Sequence, residues 1–266
     1  MERVALLLSP HLDDAILSCP GYIQRLRRKG VRVVIATVFS ASDDSQAAHY
    51  RARRTEDRRA ARLLDASVVH LGFRDAPFRS PRYRNFRGIV FGQAREYAAT
   101  VAEVATRTAA LVRKLRPEQI LAPLAVGNHV DHRAVRDAAL IAIDWRDLLF
   151  YEDRPYALVR HQVRSAVGKK NAALDPEYFE AAYVRSYLGR TRPSTIRAKW
   201  SSIEPFPAEL REAIAVRLTA AEVRAAVGAI QAYATQVGEL FASPDELMGQ
   251  YLSVPETLWQ VRQTRG

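Results

Sequence analysis

The sequence predicts an α/β protein with a mostly parallel sheet and helices on both faces. Three observations carry this. Short apolar runs alternate with amphipathic stretches of helical length from Val4 to Glu152. Two polar groups, at His11–Asp14 and His129–His132, each follow an apolar run, as groups at the carboxyl ends of parallel strands do. A chain of 266 residues with 48% hydrophobic composition is long and apolar enough to bury such a core.

The elements follow in order. Val4–Ser9 is a short apolar run, and Ala15–Lys29 has helical spacing that ends at Gly30, a residue suited to a helix terminus. Val31–Phe39 is rich in β-branched residues and reads as the second strand; Gln46–Leu64 is helical and Ser67–Phe73 is the third strand. Arg95–Leu115 is a long helix stopped by Pro117, Ile120–Leu124 the fourth strand, His132–Trp145 a helix and Leu148–Glu152 the fifth strand. The stretch from Asp75 to Gln93, DAPFRSPRYRNFRGIVFGQ, breaks the alternation. It reads as a substrate-side loop, with a solvated insertion as the alternative. Beyond Asp153, Asp175–Leu188 and Ala208–Phe241 look helical, Thr195–Ile203 extended, and Glu256–Gln263 a final strand. No repeat or linker interrupts the chain, so residues 1–266 are expected to form one domain, with a core in 1–153 and a continuation in 154–266.

Charge and composition narrow the function classes. The net charge is +11 and the only cysteine is Cys19, so no internal disulfide or cysteine-ligated zinc site forms. Five lysines stand against a large excess of arginines, which are spread along the chain and adjoin acids, as in RRTEDRRAAR, where helical neighbours pair. A general arginine bias accounts for this charge. A non-enzymatic basic protein binding nucleic acid or an anionic polymer is the alternative. The first residues, MERVALLLSPHLDD, are too briefly apolar for a signal peptide, and no stretch approaches the roughly 20 apolar residues of a membrane span, so a soluble cytoplasmic protein is expected.

The chemistry concentrates in LLLSPHLDDAILSCPG and GNHVDHR. If the strands lie in the order 3-2-1-4-5, strands one and four are neighbours where the order reverses, and the two groups converge. His11, Asp14 and His132 would then offer two imidazoles and a carboxylate to a divalent metal with a position left open; the set suits Zn2+ and also Fe2+. Asp13 or Asp14 could instead simply cap the helix near Ala15. Asp13, beside the metal, fits a general base, and His129 oriented by Asp131 fits an acid and oxyanion partner. The other role for Asp131 is to hold His132 from behind.

These motifs resemble those of the LmbE-like (PIG-L) family of zinc-dependent N-deacetylases: SPHLDDAILSCPG its HPDDE-type signature, and NHVDH its HxDH signature. The resemblance implies a Rossmann-like sheet and removal of an N-acyl group, typically acetyl, from an amino sugar or glycoside-like intermediate. It implies His11, Asp14 and His132 as zinc ligands, Asp13 as base, and His129 steadied by Asp131 as acid. A small N-acylated molecule is the implied partner, and homo-oligomerisation is left open. RRTEDRRAARLLDASVVHLGFRD resembles the family's R-x-x-E helix, strand and G-F-x-D turn, which implies that Arg53 and Asp75 contact sugar hydroxyls. AIQAYATQVGELF resembles its late helix ending in a Ser/Thr-Gln pair. Leu12 and Ala15 depart from the usual proline and glutamate. Ala15 is expected to remove a polar group close to the metal and substrate, which leaves room for an amidase acting on a thiol conjugate or another natural-product amide.

Overall fold

The computed structural model describes residues 2–158, 206–241 and 243–262, together with 163, 166, 167 and 203. The elements are β1 (Val4–Ser9), α1 (Asp14–Ser18), α2 (Pro20–Arg28), β2 (Arg32–Ala41), α3 (Ala47–Leu63), β3 (Ala66–Arg74), α4 (Ala76–Arg79), α5 (Phe86–Phe91), α6 (Tyr97–Leu115), β4 (Gln119–Pro123), α7 (Val130–Ala142) and β5 (Leu148–Tyr151), followed by β6 (Leu210–Val216), α8 (Ala220–Ile230), α9 (Val237–Leu240), α10 (Pro244–Ser253) and β7 (Glu256–Val261). Seven strands form one sheet in the order β3-β2-β1-β4-β5-β7-β6. The first five are parallel in the expected order, and β7 pairs antiparallel with both β5 and β6.

Alternation along β1 explains why the sheet is covered twice. Leu6 and Leu8 pack with Val104, Ala134 and Ala138 of α6 and α7. Ala5 and Leu7 turn the other way, to Ile16, Ile23 and Ala60 of α1, α2 and α3 and to Val223 and Val227 of α8. Every residue of β1 is buried, as in a central parallel strand. Among the described residues no helix is long and apolar enough to cross a membrane.

The helix expected over Ala15–Lys29 is two helices. Cys19, at φ −132°, ends α1, and Pro20 opens α2 because its missing N–H costs nothing in a first turn. The next two donors of α2, the N–H groups of Gly21 and Tyr22, go to Glu256 Oε1 and Oε2 at 2.6 and 2.8 Å. A Cβ on Gly21 would lie 2.7 Å from Leu218 Cδ1 and 2.9 Å from Glu256 Oε1, so a glycine lets strand and helix close. Glu256 is 1% exposed. Glu256→Ala should therefore strand two buried donors and cost roughly 2–4 kcal/mol in a denaturant melt. Glu256→Gln, which keeps one acceptor, should cost less.

Two further readings are corrected. The stretch from Asp75 to Gln93 is folded rather than a loop: it holds α4, a 3-10 turn at Pro81–Tyr83 and α5. Tyr83, Phe86, Ile89 and Val90 sink into the core, and Tyr83 Oη accepts the Ala94 N–H. Ala208–Phe241 is not one helix. Leu210–Val216 is strand β6, because pairing with β7 from Leu210↔Val261 to Val216↔Glu256 outweighs the helical preference of its Leu, Arg, Glu and Ala residues. The helical part starts at α8, where Thr219 and Glu222 form a reciprocal cap. The readings at Asp175–Leu188 and Thr195–Ile203 lie, apart from residue 203, outside the described residues. The final strand is present over Glu256–Val261.

Candidate metal and active site

β1 and β4 run side by side with Ala5 opposite Gln119 and Leu7 opposite Leu121, so the loops that follow them leave the same edge of the sheet. In the first loop Ser9 Oγ donates to the His11 carbonyl and accepts the Ala15 N–H, and the His11 N–H donates to Asp14 Oδ2 at 2.7 Å. In the second, Ala125, Gly127 and Asn128 take positive φ, turning the chain sharply into α7. A Cβ at Gly127 would strike the Tyr156 ring at 2.6 Å. His129 is the N-cap of α7: its Nδ1 accepts the Asp131 N–H at 3.2 Å, so in the neutral ring Nε2 carries the proton.

The donor set is arranged in pairs. Asp14 Oδ2 lies 3.1 Å from His11 Nδ1 and 3.3 Å from His132 Nε2. Each imidazole is gripped from behind by a carboxylate: His11 Nε2 by Asp131 Oδ2 at 3.0 Å, and His132 Nδ1 by Asp153 Oδ1 at 2.5 Å. His132 Nε2 is buried and has no hydrogen-bond partner among the described residues. Two ligands bound at 2.0–2.1 Å to one tetrahedral zinc are roughly 3.3 Å apart, and metal-binding histidines as a rule give their second nitrogen to a carboxylate or carbonyl. The pairs His11–Asp14 and Asp14–His132 thus have the spacing of ligands to one divalent ion. Ring nitrogens of His11, His129 and His132 also lie within 4.8 Å of one another, as do donor atoms of His11, Asp75 and Asp131.

The charges follow from this packing. Burial works against His132, yet Asp14 and then Asp153 push its pKa up to about 9. His11 is likewise raised against burial by Asp75, Asp131 and Asp14. Asp14 and Asp131 are held below the usual carboxylate range in spite of burial, Asp14 chiefly by His132 and Asp131 chiefly by Arg79. Burial, with the neighbouring Asp14 charge, raises Asp13 to about 6, although Arg53 lies 3.6 Å away. Burial and the His11 charge lower His129, and burial raises Asp75 and Asp153.

His11, Asp13, Asp14, His129, Arg53 and Asp75 all line one cavity of about 300 Å³, with Tyr50, Phe78, Tyr156 and Gln236 among its walls. Asp131 and His132, both fully buried, stand behind it. Asp75 accepts the Tyr50 hydroxyl at 2.5 Å. Two sequence readings change. Asp131 holds His129 through its backbone N–H and not its carboxylate, which faces His11, the Ala76 N–H and Arg79. His132 is held by Asp153, which sequence reasoning missed although it is an acid just beyond the fifth strand. Ala15 is 1% exposed in the apolar cluster of α1 and α8 and does not itself line the cavity.

Residues 6–143, just over half of the chain, match the GlcNAc-PI de-N-acetylase (PIG-L) family. The chain belongs to that family. This PIG-L protein is 34% identical over 170 residues to a 2'-N-acetylparomamine deacetylase of Streptomyces fradiae, a match covering 59% of each chain. It is 29% identical over 191 residues to the 2'-N-acetylparomamine deacetylase of Niallia circulans, covering 58% of this chain and 68% of the relative. It thus spans about 59% of the length of the Streptomyces relative. In fold it is similar to the zinc-inhibited form of teicoplanin deacetylase Orf2, with a TM-score of 0.68 at 22% identity over 98% of this chain and 99% of that one.

Proposed function

We propose that this PIG-L protein is a metal-dependent hydrolase that removes an N-acetyl group from an amino sugar or glycoside-like molecule. One observation carries the reading: two imidazoles, each anchored from behind by a carboxylate, meet at Asp14 Oδ2, and a second carboxylate, Asp13, borders the same cavity. The names of the two curated relatives point to the same bond and substrate class.

His11, Asp14 and His132 would hold the ion, Zn2+ or another divalent metal such as Fe2+. Bound there, it would polarise the amide carbonyl and acidify water. Asp13 takes the proton of the attacking water on its carboxylate. His129 presents Nε2–H to the carbonyl oxygen as charge develops, and Asp13 passes the proton it took from water to the leaving amine. Arg53 and Asp75 bind sugar hydroxyls, with Tyr50 fixing Asp75, and Phe78 and Tyr156 offer aromatic faces for the apolar side of a ring.

The test uses purified protein with 2'-N-acetylparomamine and N-acetylglucosamine, following acetate and free amine together. One acetate per amine is expected. Chelation should bring the rate to background, and Zn2+ or Fe2+ should restore it. Metal-loaded protein that releases acetate from no N-acetylated amino sugar overturns the reading; cleavage of a larger natural-product amide under those conditions would move it to that substrate.

A further inference from the structure

We propose that Arg79 is a positioning residue for the metal centre, acting through the Asp131 carboxylate on the His11 ring. The inference rests on His11 being a metal ligand, as proposed above. The Asp131 carboxylate is completely buried, and both its oxygens are engaged. Oδ2 accepts the Ala76 N–H at 3.0 Å and meets His11 Nε2 at 3.0 Å, while Oδ1 accepts from Arg79 Nη2. Arg79 and the Ala76 N–H both come from α4. A carboxylate this deep needs a compensating charge, and an arginine in direct hydrogen-bond contact supplies it.

Arg79 is itself locked. Its guanidinium lies 4.4 Å from the centroid of the Phe39 ring and 5.8 Å from that of Tyr83, and its Nη1 donates to the Arg74 carbonyl at 2.8 Å. The chain of contacts therefore runs from a stacked arginine to a buried carboxylate to the back of His11, whose Nδ1 is left facing Asp14. Without Arg79, Asp131 Oδ1 has no donor among the described residues, and the carboxylate is free to turn away from His11. Removing an outer partner of this kind typically weakens metal binding 10–100-fold. This gives the folded stretch between Asp75 and Gln93 a role beyond forming a wall of the cavity.

The experiment compares wild type, Arg79→Met, Arg79→Lys and Arg79→Gln with Tyr83→Phe, which breaks the Tyr83–Ala94 hydrogen bond in the same stretch without touching Asp131. Zinc affinity is read by competition with a chromogenic chelator, ligand geometry by the visible spectrum of the cobalt-loaded protein, and folding by circular dichroism and thermal melts. Arg79→Met should weaken zinc about 10–100-fold and alter the cobalt spectrum, with partial rescue in Arg79→Lys. Tyr83→Phe should melt earlier yet keep native zinc affinity and spectrum. If Arg79→Met does not fold, Arg79→Gln is expected to weaken zinc at least several-fold. Native affinity and spectrum in the folded neutral variant overturn the proposal, as does an equal loss in Tyr83→Phe. Wild-type protein that binds no zinc or cobalt overturns the metal reading itself, which separates the two failures.

Discussion

Asp13→Ala is expected to keep its metal and lose about two to four orders of magnitude in turnover, the usual contribution of a positioned base. The two adjacent aspartates are not interchangeable. Asp14 Oδ2 meets both His11 and His132, whereas Asp13 Oδ2 faces Arg53 at 3.6 Å and borders the cavity. The effect should therefore fall on kcat with metal stoichiometry unchanged, measured as acetate release and elemental analysis on the same sample. Metal lost in proportion to activity would make Asp13 a ligand. Unchanged turnover would remove it from the proposed mechanism.

Asp153→Ala should weaken metal binding about 10–100-fold and destabilise the fold by roughly 2–4 kcal/mol. Asp153 is fully buried and serves two groups: Oδ1 holds His132 Nδ1, and Oδ2 accepts the Val126 N–H at 2.9 Å. Removing it strands a ring nitrogen and a backbone donor together. Asp153→Asn separates the two effects, because its amide oxygen still serves Val126 while the charge behind His132 is gone. Most of the stability should return and most of the affinity loss should stay, as read by thermal melts beside a metal titration. A variant that loses stability but binds metal natively would make Asp153 a purely structural acceptor.

The parallel half of the fold was legible because buried strands and amphipathic helices differ in period, and because β1 and β4 each end in a polar cluster. The antiparallel half was not. The register of β6 on β7 arises from contacts about 40–50 residues apart, and in LREAIAV the β-branched Ile214 and Val216 are outnumbered by Leu, Arg, Glu and Ala, which favour helix. The site divided in the same way. His11, Asp13, Asp14, His129 and His132 were readable from their spacing and chemistry. Their supporting partners were less so: Asp153 belongs to another strand end, Arg79 to a stretch whose irregular pattern hid its helices, and the direction of the Asp131 side chain depends on how α7 is seated.

The carboxylate that completes the start of α2 lies 235 residues downstream of Gly21. Because β7 sits between β5 and β6, β6 joins the sheet only through that strand. The two first-turn donors of α2 meet their buried acceptors only when β7 is in place. Closing so long a loop is entropically slow. The start of the second helix after the His11 loop thus rests on a strand more than two hundred residues downstream, so seating that helix and placing β7 are one event.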